Sequence, residues 1–314
     1  MTLRFYGPDQ DRRAVALGAW APAGLETCEL VSPESIAEAC SILASARDAG
    51  RIATLLAGGT DWIVDRHLAD VSKAKEVHLV VDLGRIEELR SVRAYDREGE
   101  SRLRLGAGVT YWKLRRDPRI ARVVPLLGSM AADVGAVQIQ TRGTLGGNLA
   151  TASPAADGVA ALMALEAELT LSGAQGARTV SIDGFFTGYR KTVLAAGEIV
   201  TAVDLRVPRA GAAARWQKVG TRRAQAISKV ALASVVESLD GVVTRARFGM
   251  ASVAASTAPL LEVRAALEGR PLDSIEQRDT DAAVERDIQP IDDVRSTGDY
   301  RFHVAKALVW RAIR

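Results

Sequence analysis

Two glycine pairs set the first constraint on this chain. Leu56-Ala-Gly-Gly-Thr-Asp61 ends a short apolar run that starts at Ile52, and Gly143-Thr-Leu-Gly-Gly-Asn148 opens the densest small-residue stretch of the sequence. Paired glycines allow positive φ and let another group approach where a Cβ would stand in the way. Successive amides in such turns form a nest for phosphate oxygens, to which the hydroxyls of Thr60 and Thr144 can add donors. Neither segment has the G-x-x-x-x-G-K-[ST] form of a phosphate loop or the G-x-G-x-x-G spacing of a Rossmann fingerprint, so neither of those sites is expected. Alone, either pair reads as an ordinary tight turn. Together, with Asn148, Thr151, Ser153 and Asp157 following the second pair, they suit a bound sugar chain and pyrophosphate. Asp157 can accept a hydrogen bond from a ring N–H or a ribose hydroxyl, or can cap a helix starting there.

Around these segments the pattern alternates between strand and helix. Ser32 and Pro33 suit the start of a helix that puts Ile36, Cys40, Leu43 and Ala44 on one face. Strands are expected at Ile52–Ala57, Val77–Leu83, Arg102–Leu105, Glu168–Leu171 and Ile199–Val207, with helices over Trp62–Leu68 and through Val159–Leu165. Pro208, Gly211 and a run of alanines mark a boundary. Beyond it, Val230–Val236 and Val242–Phe248 read as adjacent strands, with helices near Leu260–Leu267 and Tyr300–Ile313. The fold class is α+β, and residues 1–29 read as an arm without clear periodicity.

Composition narrows the function classes. The 314 residues carry 41 Lys+Arg against 38 Asp+Glu, a net charge of only +3, and aromatic residues make up 5%. Neither a basic nucleic-acid face nor a base-stacking surface is indicated. Cys28 and Cys40 are the only cysteines, too few for the thiolate frame of an iron–sulfur cluster. His67, His78 and His303 are scattered, so no metal site is expected. No nucleophile with its base can be assembled, and no catalytic residue is assigned. A charged N-terminus and the lack of a long apolar run imply no membrane span and a cytoplasmic location.

The two glycine segments, at this separation, closely resemble the FAD domain of the xanthine dehydrogenase and carbon monoxide dehydrogenase family of molybdenum hydroxylases. LLAGGTD resembles the family's first phosphate-binding loop, and GTLGGNLATASPAAD its second segment. GYRKTVLAAGEIVTAVDLRVP, KVGTRRAQAISKV and PIDDVRSTGDYR agree further along. The resemblance implies a two-subdomain FAD-binding domain of the PCMH (vanillyl-alcohol-oxidase-like) type at 30–210, divided near residue 90, then a flavoprotein C-terminal domain at 211–314. It implies that Leu56, Ala57, Gly58, Gly59, Thr60, Asp61 and Trp62 wrap the FAD pyrophosphate and ribityl chain. Thr144, Gly146, Gly147, Asn148, Thr151 and Ser153 would face them. Asp157 would hydrogen-bond the cofactor, Val200 would pack on it, Lys218 would reach the flavin edge, and Gln225–Ile227 would lie beside the ring.

The same likeness implies an electron relay. Substrate is hydroxylated at a molybdopterin on a large partner subunit, electrons cross [2Fe-2S] clusters on a small one, and FAD discharges them to NAD or another acceptor. A dimer of heterotrimers is implied. The substrate stays open among purines, other N-heterocycles, aldehydes and carbon monoxide. Arg222 and Arg223 suit a partner, an NAD phosphate or an ordinary solvated turn. Two other readings stand beside this one: a self-contained flavin oxidase or reductase, which would turn over alone, and a binding or assembly protein, which would be colourless.

Overall fold

The computed structural model describes residues 2–3, 5–6, 15–16, 28–68 and 78–314. Three main sheets are built in succession. The first is parallel and four-stranded, in the order Phe5–Tyr6, Cys28–Val31, His78–Asp82, Ala53–Leu56. Parallel pairing needs crossovers, here supplied by the helices Ile36–Asp48 and Thr60–Leu68. The first of these buries Ala39, Cys40, Leu43 and Ala46. Its cap is Ser35, which accepts the Glu38 amide, rather than the expected Ser32. The segment Ser32-Pro33-Glu34 thus precedes the helix instead of opening it.

The second sheet is antiparallel, in the order Gly176–Ser181, Glu168–Gly173, Ile199–Arg206, Glu100–Gly106, Val92–Arg97. Every residue of its central strand, Ile199–Arg206, is buried. Short helices between residues 111 and 164 pack around it, the last of them being the wholly buried Asp157–Ala164.

The third sheet, Ala213–Val219, Val230–Leu239 and Val242–Ala251, shows why two cores exist. Along Val230–Leu239, alternate residues face opposite ways. Ala231, Ala233 and Val235 join the core of the first two sheets, whereas Val230, Leu232 and Val236 join a second core under the helices Leu261–Leu267, Gln277–Asp287 and Gly298–Ile313. Gly249 allows the tightest crossing of that seam: a Cβ there would stand 2.1 Å from the Ala160 carbonyl oxygen. Ion pairs close the seam at its edge. Arg206 of the central strand makes a two-pronged contact with Glu237, at 2.7 and 3.1 Å, both side chains being buried.

Other expectations change. The N-terminal stretch read as a bare arm contributes the two-residue strands Thr2–Leu3, Phe5–Tyr6 and Val15–Ala16, while the rest of residues 1–27 lies outside the described residues. The second glycine pair is no turn: Thr144 caps a helix over Leu145–Thr151, so Gly146 and Gly147 occupy its first turn. Among the described residues no helix is long and apolar enough to cross a membrane.

Candidate functional site

The two glycine segments meet. The strand Ala53–Leu56 delivers Gly58 and Gly59 to the start of helix Thr60–Leu68. Gly59 takes φ +76°, where a side chain would be strained. Gly58 is constrained by contact instead: a Cβ would lie 2.2 Å from the Arg142 carbonyl oxygen, directly before the second segment. Arg142 also donates to the Gly58 carbonyl at 3.3 Å, and Thr151 donates to Asp61 at 3.0 Å.

Between them opens a cavity of about 910 Å³, lined from one side by Leu56 to Trp62 and from the other by Thr144, Gly146, Gly147, Asn148 and Thr151, with Val200 of the central strand also on its wall. The helix start at Thr60 brings first-turn amides that lack intrahelical acceptors, a setting that favours anions. The second segment contributes differently from expectation. Its amides are largely committed: Gly146 donates to the Ala107 carbonyl at 2.7 Å, Gly147 to the Thr144 hydroxyl at 3.0 Å and Asn148 to the Thr144 carbonyl at 3.0 Å. What it offers a ligand is close approach to a surface bare of side chains, rather than a phosphate nest.

A second lobe of about 860 Å³ shares Asp61, Tyr111, Val134, Ile139, Asn148 and Thr151 with the first, so the two are continuous. Ser153, Asp157 and Lys218 line it, as do Gln225, Ala226 and Ile227. Asp157 is not the cap of its helix; Ala156 precedes the helix, and the carboxylate reaches Lys218 Nζ at 2.5 Å and the Ser228 hydroxyl at 2.6 Å. Lys218, 9% exposed, also donates to the Asp133 carbonyl at 2.9 Å. Burial holds the Asp157 carboxyl above its ordinary range against the pull of Lys218 and Ser228. Arg190, Gln225 and Ser252, all on this lobe, are non-glycine residues with φ between +51° and +67°. Such conformations persist only where the surroundings hold them.

Sequence reasoning missed several groups. Tyr111, 3% exposed, stands where the lobes join, and its hydroxyl has no partner among the described residues. Asn148 Oδ1 is likewise buried and bare, and both border the space left by the absent side chain of Gly158. Burial, then the nearby Asp157 and Asp61, push the Tyr111 phenol well above its usual range, so it stays protonated and a donor. Only the placement of Thr110-Tyr111 after the glycine turn at Gly106 and Gly108 hinted at it. Arg142, Ser228 and Arg301 carried no local signal.

A two-lobed cleft, one part bare backbone beside a helix start and the other floored by polar groups, fits a dinucleotide with a pyrophosphate and a ring. The orphaned Tyr111 and Asn148 atoms and the cradle that a Cβ at Gly58 would fill are what an FAD-shaped ligand requires.

Comparison with known proteins agrees. Residues 26–210 match the family described as FAD binding domain in molybdopterin dehydrogenase, and residues 216–314 match the CO dehydrogenase flavoprotein C-terminal domain. The chain is 31% identical to the carbon monoxide dehydrogenase medium chain of Hydrogenophaga pseudoflava, over 91% of this chain and 95% of that one. It is 32% identical to the nicotinate dehydrogenase FAD-subunit of Eubacterium barkeri, over 64% of this chain and 66% of that one. The structure of the Hydrogenophaga pseudoflava carbon monoxide dehydrogenase lacking the Mo-pyranopterin moiety superposes with TM-score 0.81 at 29% identity, covering 91% of this chain and 95% of that chain. The chain therefore belongs to the FAD-binding family of molybdopterin dehydrogenases and is an FAD subunit of the molybdenum hydroxylase kind.

Proposed function

We propose that this chain carries electrons within a molybdenum hydroxylase, from [2Fe-2S] clusters on a small partner subunit to NAD or another acceptor, while a molybdopterin on a large partner subunit oxidises the substrate. The observation that carries this reading is the joining of the two glycine segments into one cleft that continues under the third sheet. In this reading the pyrophosphate and ribityl chain lie in the first lobe, against Gly58, Gly59, Thr60, Gly146 and Gly147. Asp61 and Thr151 hold each other across that lobe and set its width. The isoalloxazine lies in the second, over Asp157, Lys218 and Ser228 and beside Gln225–Ile227.

FAD, when bound, supplies a centre that accepts electrons singly and releases them in pairs. The protein's part is to hold it and to set its surroundings. Val200 and the buried wall exclude water from one side, while Lys218 and the Asp157 carboxylate place fixed charge at the ring lobe. Arg190 and Arg222 border that lobe, which suits an anionic acceptor such as the NAD pyrophosphate, while Arg295 there is paired with Asp293. The two cysteines of these 314 residues are too few for the clusters, which in this reading sit on the small partner subunit. A dimer of heterotrimers in the cytoplasm completes the proposal.

The test is purification of the tagged chain from its host with whatever accompanies it. Yellow material with co-purifying molybdenum and iron in larger and smaller subunits is expected. A flavin-loaded chain that turns over substrate alone, without partners, would replace the relay by a self-contained oxidase.

A further inference from the structure

The segment PIDDVRSTGDYR at 290–301 has so far no task in the site, although it ends against the second lobe. Its geometry supplies one. Asp293 Oδ1 accepts from the Arg295 amide at 2.8 Å and from the Arg301 guanidinium at 2.6 Å. Arg301 is 3% exposed and donates its other arm to the Ser252 carbonyl at 2.7 Å. Ser252 has φ +67°, a conformation unfavourable for serine, and is gripped on three atoms: by Arg301 at its carbonyl, by the Pro154 carbonyl at its amide (2.8 Å), and by the Ser228 carbonyl at its hydroxyl (2.9 Å). Ser228 in turn donates to Asp157, whose other oxygen takes Lys218.

The helix Gly298–Ile313 gives no reason for this arginine. A cation in the first turn faces the positive end of the helix dipole, the unfavourable placement. Burying a guanidinium also costs free energy unless its donors are used for something. Here one arm holds a strained residue in place at the floor of the cleft and the other is held by Asp293, while Nε has no partner among the described residues.

We propose that Arg301 is a positioning residue for the ring lobe: by clamping Ser252 it fixes Ser228, and through Ser228 the Asp157–Lys218 pair. The proposal rests on the placement of the isoalloxazine given above. Losing the clamp lets Ser252 relax from its left-handed conformation, which moves the Ser228 hydroxyl off Asp157 and changes the polar floor that the ring meets.

The experiment uses the full chain and reads the FAD dissociation constant and the visible absorption band of the bound flavin. Arg301→Lys keeps the charge but loses the fork. It and Ser228→Ala are each expected to raise the dissociation constant by about tenfold and to shift the band in the same sense. The double variant is expected to go no further than either single one, because both break one chain of contacts. Additive effects, or an unchanged constant and band in folded Arg301→Lys, would overturn the proposal, since a merely structural arginine changes thermal stability without coupling to Ser228. Should Arg301→Lys fail to fold, Asp293→Asn releases the same guanidinium and carries the same expectations, with the same outcomes overturning them. Wild-type chain that takes up no FAD would overturn the ring placement as well; wild type that binds FAD beside indifferent variants would overturn the clamp alone.

Discussion

Lys218 reaches out of the third sheet to place its ammonium 2.5 Å from the carboxylate of Asp157, the first residue of a helix in the neighbouring core. The family resemblance implies that both residues serve the cofactor, and the structure shows them bonded to each other on the wall of the cleft. Because both are buried, removing one leaves the other charge without a partner. Lys218→Met should therefore lower the unfolding free energy of the cofactor-free chain by about 3–5 kcal/mol. Urea denaturation measures this, and a loss typical of exposed pairs, under roughly 1 kcal/mol, would contradict it.

The two glycine segments should respond differently to a side chain. Gly58→Ala drives a Cβ to 2.2 Å from the Arg142 carbonyl oxygen, so the loops must part and stability should fall by about 1–3 kcal/mol. At Gly147 a Cβ meets only the Thr144 hydroxyl, at 3.0 Å, on the cavity wall. Gly147→Val should keep a native melting curve yet lose most of its bound FAD, as read from the flavin-to-protein absorbance ratio. Full occupancy in Gly147→Val would remove that residue from the site.

Tyr111→Phe separates the apo and loaded states. The phenol hydroxyl is buried without a partner among the described residues, so its removal should stabilise the cofactor-free chain by about 1 kcal/mol. If the hydroxyl serves the ligand, the same change weakens FAD binding by about tenfold or less. Calorimetry should thus show a stabilisation without FAD that shrinks or vanishes when FAD is bound.

Acid should unfasten the second sheet. Arg206 holds Glu100, and Arg97 holds Glu168, below the ordinary glutamate value of 4.5. A carboxylate whose folded value is depressed contributes stability that is present above the unfolded value and lost as pH falls through the folded one. Asp183 and Asp287 are raised by burial and act in the opposite sense, favouring the fold when protonated, which softens the slope. Both glutamates are partly exposed, so the net loss is small and salt-sensitive. The melting temperature should hold from pH 8 to pH 5, by this order-of-magnitude reasoning, and decline below about pH 4.5. A decline that begins near neutrality would point to another group.

Arg206 and Glu237 offer a check on the seam between the cores. Glu237→Gln leaves the buried Arg206 guanidinium only the partly exposed Glu100 as anionic partner and should cost about 1.5–3 kcal/mol, against under roughly 1 kcal/mol for an exposed pair. Guanidinium denaturation followed by tryptophan fluorescence would measure it.

The elements that were legible are those whose burial leaves a pattern. Ile199–Arg206 and Val230–Leu239 read as strands because their apolar residues face a core. Val92–Arg97 did not, since it is the sheet's edge and exposes Arg93, Ala94, Asp96 and Arg97. The helix Gln277–Asp287 buries only Thr280, Ala283 and Val284, too thin a stripe among charges to read. Within the cleft, the glycines were visible because their requirement is local. Ser228 and Arg301 owe their roles to partners far along the chain, as with Ser228 and Asp157, and no nearby spacing records such a meeting. Asp157 and Lys218 were found through likeness, and their mutual bond was not.

The central strand of the second sheet is made late: Ile199–Arg206 lies between strands at Glu168–Gly173 and Glu100–Gly106, and Val200 completes the wall of the first lobe. On the ribosome, then, both glycine segments emerge long before the strand that seats them. The nascent polypeptide has no finished receptacle until that strand clears the exit tunnel, so prosthetic-group uptake follows translation of this stretch instead of nucleating it.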